Sequence, residues 1–595
     1  MQIIPSPKSY KPLNGYCCLS AADICVSPEF DIRTVKGAHR LCSVINSYSP
    51  DSQKSYVKFA NEGKITIIKD TEGEKYSLSV SGGNVVIKGG DKGAFYGIET
   101  LMQIIKLSDG VNIPCLEIKD CPDFEVRGFY HDVTRGRVPT LDTLKELVDT
   151  LAMYKVNQLQ LYVEDSFAFH ELEGVMSREE VLSPDEITAL DDYCNERFIE
   201  LVPSVASFGH LYNQLQAPEY RHCCEYENYK PRQHYWLEKM SHHTVDISSK
   251  PAFEMICSRI SQFASLCRSD KFNICCDETY DLCRGKNQGK DTGEEYFKYV
   301  LLLIDYVKSI GKTPMMWGDI VLHYPEKLSL LPKDTIMLNW GYAKDPDENT
   351  VKTFAESGMP QYVCPSTNAW NRFVEETGIS HSNETLMAYY GKKYDALGYL
   401  NTNWGDYGNI CAPGAERYGL VLGCERAWNA TKDDLTDSWK KSFTKLEFFP
   451  DKKLDECPDM TKIIFGASKC EEKVRWMEFV PWFSANYIEG RDIPFEFDIS
   501  NCESNITKCE EILEKLKSFD GGNENYTDLM LAAEAVIMMN RIYLYFAGKE
   551  KNLADYKDWE DRYAKAWNSR CKSSQLYILQ DFLALVFSSK PKING

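Results

Sequence analysis

An α/β chain built on a (β/α)8 barrel, the TIM-barrel architecture, is what the sequence predicts, with a small α/β domain before it and a helical domain after it. Three observations carry this reading. Eight short apolar runs alternate with amphipathic stretches between about 124 and 440, glycine-bounded β-like runs come before them, and long 3.6-residue periodicities follow. At 595 residues the chain exceeds one compact domain.

The first domain is expected over 1–122. Lys64-Ile-Thr-Ile-Ile-Lys69 and Asn84-Val-Val-Ile-Lys88 read as strands, bounded by Gly82-Gly83 and Gly89-Gly90. Lys92 to Leu107 has a helical pattern, apolar on one face. The barrel is expected over 123–440, with strands at Val126–Asp132, Gln158–Val163, Glu200–Val205, Phe272–Cys276, Thr313–Trp317, Thr335–Asn339, Gln361–Cys364 and Gly398–Asn403. Between them, Leu144, Leu147, Val148 and Leu151 recur at helical spacing. Ser183-Pro-Asp-Glu186 has the form of a capping box with Pro at the first helical position. An open doubly wound sheet is the alternative, but no Gly-rich phosphate loop follows an early strand. The region 441–595 is expected to be helical, with long patterns at Asp498–Ser518 and Tyr526–Gly548 and one or two helices over Lys551–Phe587.

Hydrophobic residues make up 43% and charged residues 26%, enough apolar material for a large core. A net charge of −20 with no clustered Lys/Arg argues against nucleic acid as a partner, which would require a basic face. No run of about 18 apolar residues marks a membrane span, and no basic-then-apolar leader opens the chain. The 22 cysteines lack zinc-finger spacing and read as reduced, mostly buried thiols. A cytoplasmic location is therefore the expectation, with a removed secretory leader as the alternative. His242-His243 suggests a metal only with a third ligand at suitable spacing, and none follows, so a solvated loop is expected there. No metal or cofactor is expected.

In a barrel of this kind, functional side chains gather where strands end. Those positions hold Arg127, Asp132, Glu164, Asp165, His210, Asp277, Glu278, Trp317, Trp340, Trp404 and Asp406. The set is acidic and aromatic, and it contains neither a Ser-His-Asp group nor a three-ligand metal cluster. Acid catalysis on a carbohydrate fits it. The sharpest segment is Phe272-Asn-Ile-Cys-Cys-Asp-Glu-Thr279, an apolar strand that delivers two adjacent carboxylates. Neighbouring strand residues point to opposite faces, so Asp277 and Glu278 can share a pocket only if the chain leaves the strand there. Alone, an Asp-Glu pair is more often a solvated loop or a helix N-terminus. Arg127 and Asp165 can equally be read as a structural ion pair at the barrel rim.

These segments resemble glycoside hydrolase family 20, the β-N-acetylhexosaminidases. Cys276-Asp-Glu278 resembles the family's catalytic signature. Pro122-Asp-Phe-Glu-Val-Arg-Gly-Phe-Tyr-His-Asp132 resembles its first strand, Tyr154 through Asp165 its second, and Leu201 through His210 its third. The variant forms are closest to the hexosaminidase D-like branch. Ile-Pro-Ser-Pro-Lys8 and Gly93-Ala-Phe-Tyr-Gly-Ile-Glu-Thr-Leu-Met-Gln103 resemble the accessory domain that precedes this barrel. The resemblance covers residues 1 to about 430.

It implies removal of terminal β-linked N-acetylhexosamine from a carbohydrate, with the substrate's own acetamido oxygen attacking C1. By the resemblance, Asp277 would orient that acetamido group. Glu278 would protonate the leaving oxygen, and Arg127 would hold the C3 and C4 hydroxyls. Trp317, Trp340 and Trp404 would wall the pocket, Asp406 would bond the C4 or C6 hydroxyl, and His210 would partner Asp165. Three departures bear on sugar preference. Ala206 stands where many members carry an acid, Trp404-Gly-Asp406 is one methylene shorter than the usual Trp-x-Glu, and Trp370-Asn371 occupies the region of the tyrosine that often holds the acetamido oxygen. An O-GlcNAcase-type enzyme, which carries paired Asp residues, and a non-catalytic glycan-binding protein on the same scaffold are the competing readings.

Overall fold

A computed structural model describes residues 1–70, 72–228, 234–241, 243–494 and 496–592. The first seven strands are β1 (Ser9–Cys18), β2 (Asp23–Val26), β3 (Tyr56–Phe59), β4 (Ile65–Lys69), β5 (Tyr76–Val80), β6 (Val85–Gly89) and β7 (Asn112–Asp120). They form one mixed sheet in the order β1-β7-β5-β6-β4-β2-β3. Its helix Asp91–Leu107 is buried around almost its whole circumference, not on the single apolar face expected. The sheet covers one side and the barrel the other, where Gln103 donates to the Met153 carbonyl at 2.9 Å. Gly93 lets this helix approach the sheet, since a Cβ there would lie 2.1 Å from the Lys75 carbonyl oxygen.

Eight parallel strands then close into a barrel: β8 (Val126–Asp132), β9 (Gln158–Val163), β10 (Glu200–Val205), β11 (Lys271–Asn273), β12 (Thr313–Trp317), β13 (Ile336–Trp340), β14 (Gln361–Cys364) and β15 (Gly398–Asn403). Ring closure comes from β15 pairing with β8 over six residues, Gly398↔Val126 to Asn403↔His131. Strands covered inside and out are buried on both faces, so they read in sequence as unbroken apolar runs. The expected capping box is present, with Ser183 and Glu186 each bonding the other's backbone. The fourth strand is shorter than expected. It ends at Asn273, and the backbone turns away at Cys275 and Cys276.

Beyond the barrel lie helices at Asp437–Glu447, Met460–Glu471, Trp476–Phe483, Cys502–Lys517, Glu524–Phe546, Lys557–Arg570 and Leu576–Ser588. The 23-residue helix Glu524–Phe546 is long and apolar enough to cross a membrane, with mean hydropathy 1.4, yet 78% of its apolar window is buried as the core of this helical layer. All 22 cysteines are free thiols. Cys18 is exposed, Cys42 and Cys121 are half-buried, and the rest are buried.

Candidate active site

The geometry of the two central carboxylates starts in the backbone. Cys275, Cys276 and Glu278 have φ of 57°, 67° and 48°, the left-handed region that L-residues adopt at a cost of about 1–3 kcal/mol each. This run breaks the strand's alternation, so Asp277 and Glu278 both line one cavity. The strain is held by fixed partners. Cys275 N donates to Asn273 Oδ1 at 2.9 Å, Trp317 N to the Cys275 carbonyl at 3.0 Å, Tyr296 Oη to the Cys276 carbonyl at 2.8 Å, and Glu278 N to Asp319 Oδ2 at 3.0 Å. Ser207 Oγ adds a hydrogen bond to the Ile274 carbonyl.

The cavity has a volume of about 250 Å³. Trp317, Trp340, Tyr342, Trp370 and Trp404 wall it, and Arg135 and Asp406 face the two carboxylates. Trp317 is fully buried and packs edge-on against Tyr130, ring centroids 5.0 Å apart, while Tyr342 stacks on Trp340 at 4.9 Å and accepts from Trp404 Nε1 at 2.8 Å. Aromatic contacts of this kind set ring orientation as well as burying area. The result is a narrow aromatic slot with charge at one end.

His210 Nε2 lies 3.5 Å from both Asp277 Oδ2 and Glu278 Oε2. Burial alone would lower the imidazole pKa. The Asp277 charge and hydrogen bonds to both carboxylates outweigh it and raise the pKa to about 10. His210, Asp277 and Glu278 bring their donor atoms within 4.8 Å of one another, a spacing that could suit a cation. With its ring protonated, His210 forms an ion-pair cluster with the two carboxylates. Asp319, buried behind it, has its carboxyl pKa raised to about 7 by burial and then by the Asp277 charge.

Arg135 links the other wall. Its Nε donates to Glu164 Oε1 at 3.1 Å, Nη1 to Asp406 Oδ1 at 3.0 Å and Nη2 to Tyr162 Oη at 3.3 Å. Asp406 also accepts from Asn371 Nδ2 at 3.2 Å, and burial lifts its pKa to about 6. Asp132 organises the loop beneath, accepting from Thr134 N, Arg135 N and Gly405 N.

Of the residues expected from sequence, Asp277, Glu278, Trp317, Trp340, Trp370, Trp404 and Asp406 line the cavity, and His210 touches the carboxylate pair. Two do not take their expected places. Arg127 is the second residue of β8, at the opposite end of the barrel, where it is buried against Glu74 (2.7 Å), Tyr96 Oη (2.8 Å) and the carbonyls of Phe124 and Lys155. It joins the small domain to the barrel and does not reach the pocket. Asp165 is held by Lys239 Nζ at 3.1 Å, Thr134 Oγ1 at 2.8 Å and Asn213, away from both Arg127 and His210. His242 falls outside the described residues. His243 is buried, not solvated, with Nε2 2.9 Å from the Glu238 carbonyl oxygen. The sequence reading missed Arg135, Asp319 and Tyr342. Each sits two or three residues beyond a strand end, so a window past each apolar run would have included them.

The family models fit this architecture. One for the catalytic domain of glycosyl hydrolase family 20 matches residues 124–417, and one for domain 2 of the same family matches residues 1–121. The chain belongs to glycosyl hydrolase family 20. Within the family, it is 24% identical to beta-hexosaminidase subunit A1 of Dictyostelium discoideum over 58% of this chain and 68% of that protein. It is 26% identical to a beta-hexosaminidase of Porphyromonas gingivalis over 41% of this chain but only 35% of that protein, so it spans about a third of that relative's length. It is 21% identical to hexosaminidase D of Bos taurus over 42% and 72% of the two chains. Among solved family 20 structures, a Flavobacterium johnsoniae chitobiase superposes with a TM-score of 0.63 at 17% identity, covering 98% of this chain and 99% of that one. A mutant Streptomyces plicatus beta-hexosaminidase in complex with its product GlcNAc gives 0.61 at 17% identity over 77% and 95%.

Proposed function

We propose that this chain is a retaining exo-β-N-acetylhexosaminidase that removes terminal GlcNAc or GalNAc by substrate-assisted catalysis. The observation that carries the reading is the pairing of Asp277 and Glu278 in one aromatic slot, made possible by the left-handed backbone run at Cys275, Cys276 and Glu278. In this scheme the acetamido oxygen of the bound sugar attacks C1 as the glycosidic bond breaks, giving an oxazolinium ion. Asp277 accepts from the acetamido N–H and stabilises the positive charge that develops there. Glu278 gives its proton to the leaving oxygen, then takes one from the water that opens the ring at C1. His210, charged between the two, holds their spacing, while Arg135 and Asp406 are placed to bond sugar hydroxyls. The indoles exclude water and stack against the apolar faces of the ring.

The test is hydrolysis of p-nitrophenyl β-GlcNAc and β-GalNAc with p-nitrophenyl β-glucoside as control. Cleavage of an amino sugar but not the glucoside supports neighbouring-group catalysis, and the rate ratio sets the sugar preference. Cleavage of the glucoside alone overturns the reading.

A further inference from the structure

A second, larger cavity of about 790 Å³ opens beside the catalytic one, and Trp370 lines both. Its far wall belongs to the C-terminal helices, through Lys469 on Met460–Glu471, Glu472 capping the end of that helix, and Met477 on Trp476–Phe483. The same helices hold the loop that carries Trp370. Glu471 accepts from Phe373 N at 2.8 Å and Val374 N at 3.0 Å, and Arg372 donates to the Ser468 carbonyl at 3.1 Å.

We propose that this cleft is the aglycone site, taking two or more neutral sugar units on the leaving side of the scissile bond. The inference rests on the exo-hexosaminidase reading above. Continuity comes first: a chain leaving the slot past Trp370 enters this cleft. Capacity is second, since its volume is about three times that of a slot sized for one sugar. Charge is third. The lining holds five lysine or arginine side chains against four carboxylates, and Arg372–Glu376 at 2.6 Å and Lys473–Asp498 at 3.4 Å are already paired. A nearly balanced wall rich in hydrogen-bonding groups suits hydroxyls better than a polyanion. The half-buried indole of Trp370 and the Met477 side chain, 41% exposed, supply apolar faces for sugar rings.

The experiment measures kcat/KM for β-linked GlcNAc oligomers of two to five units beside p-nitrophenyl β-GlcNAc, for the native chain and the double variant Lys469→Ala/Met477→Ala. Both substituted residues are exposed on helices, and turnover of the aryl substrate reports whether the variant is folded. A rise of about tenfold or more from dimer to tetramer is expected. In the double variant that rise should disappear while the aryl rate stays unchanged. Equal kcat/KM for all lengths, with the aryl substrate still cleaved, overturns the aglycone site and leaves the glycosidase standing. A length dependence that survives the double substitution also overturns it. Failure to cleave any of the substrates overturns the glycosidase reading itself.

Discussion

Glu278 carries its carboxylate on a backbone with φ of 48°, anchored through its N–H to Asp319. If it is the proton donor, Glu278→Gln lowers kcat on unactivated glycosides by about 10²–10⁴ and much less on p-nitrophenyl glycosides, whose leaving group needs little protonation. Parallel steady-state assays on the two substrate types measure this, and equal losses would remove Glu278 from the role. His210 gives a pH signature. Its folded-state pKa of about 10 lies above the ordinary 6.5, so its stabilising contribution is complete below pH 6.5 and fades as pH climbs to about 10. Denaturant melts of wild type and His210→Gln should therefore differ most near pH 6.5 and converge toward pH 10. At this scale the sequence is legible where a cavity-lining residue lies at the end of an apolar run, as for Asp277, Trp317 and Trp404. It misleads at Arg127. A linear motif does not say which end of a strand a residue occupies, and five residues of strand separate Arg127 from the rim by roughly 16 Å.

The loops after the strands, more than the strands, build the slot. Gly136 adopts φ of 126°, and a Cβ there would lie 2.2 Å from the Gly408 carbonyl oxygen. The loops that follow the first and last barrel strands can touch only because this position has no side chain. Gly136→Ala is expected to lower Tm and raise KM, since neighbouring Arg135 would lose its place beside Asp406. Thermal melts and steady-state kinetics on one preparation check both. The loop carrying Trp370 depends instead on Glu471. Glu471→Ala leaves two buried amides without an acceptor, at about 1–3 kcal/mol each. Lower Tm together with a higher KM is the expected pair of readouts, and a fall in Tm alone would separate the loop's anchoring from the slot. None of this was visible in the helical periodicity of the C-terminal region. That periodicity registers which face is apolar, not which acid reaches into a loop from a distant element.

Across the whole molecule, the small domain and the barrel meet through buried charge. Arg127 with Glu74 is one joint, and Lys155 with Asp120 at 3.3 Å, both fully buried, is another. Removing one partner of such a pair costs about 3–5 kcal/mol. Arg127→Met should therefore lower Tm markedly while the folded fraction keeps its native KM. A large rise in KM would instead return Arg127 to the sugar site. Fold class was readable because eight doubly covered strands leave eight apolar runs, whereas the interdomain joints pair residues 35 and 53 positions apart. The thiols beside Asp277 and Glu278 have a use of their own. Cys275 and Cys276 are sealed from solvent, and burial pushes the Cys275 pKa up to about 12 and that of Cys276 upward as well. In the native state they resist alkylation. Their rate of modification by iodoacetamide, read by peptide mass, is therefore a built-in clock for how often the catalytic turn opens, and an occupied sugar slot should slow it.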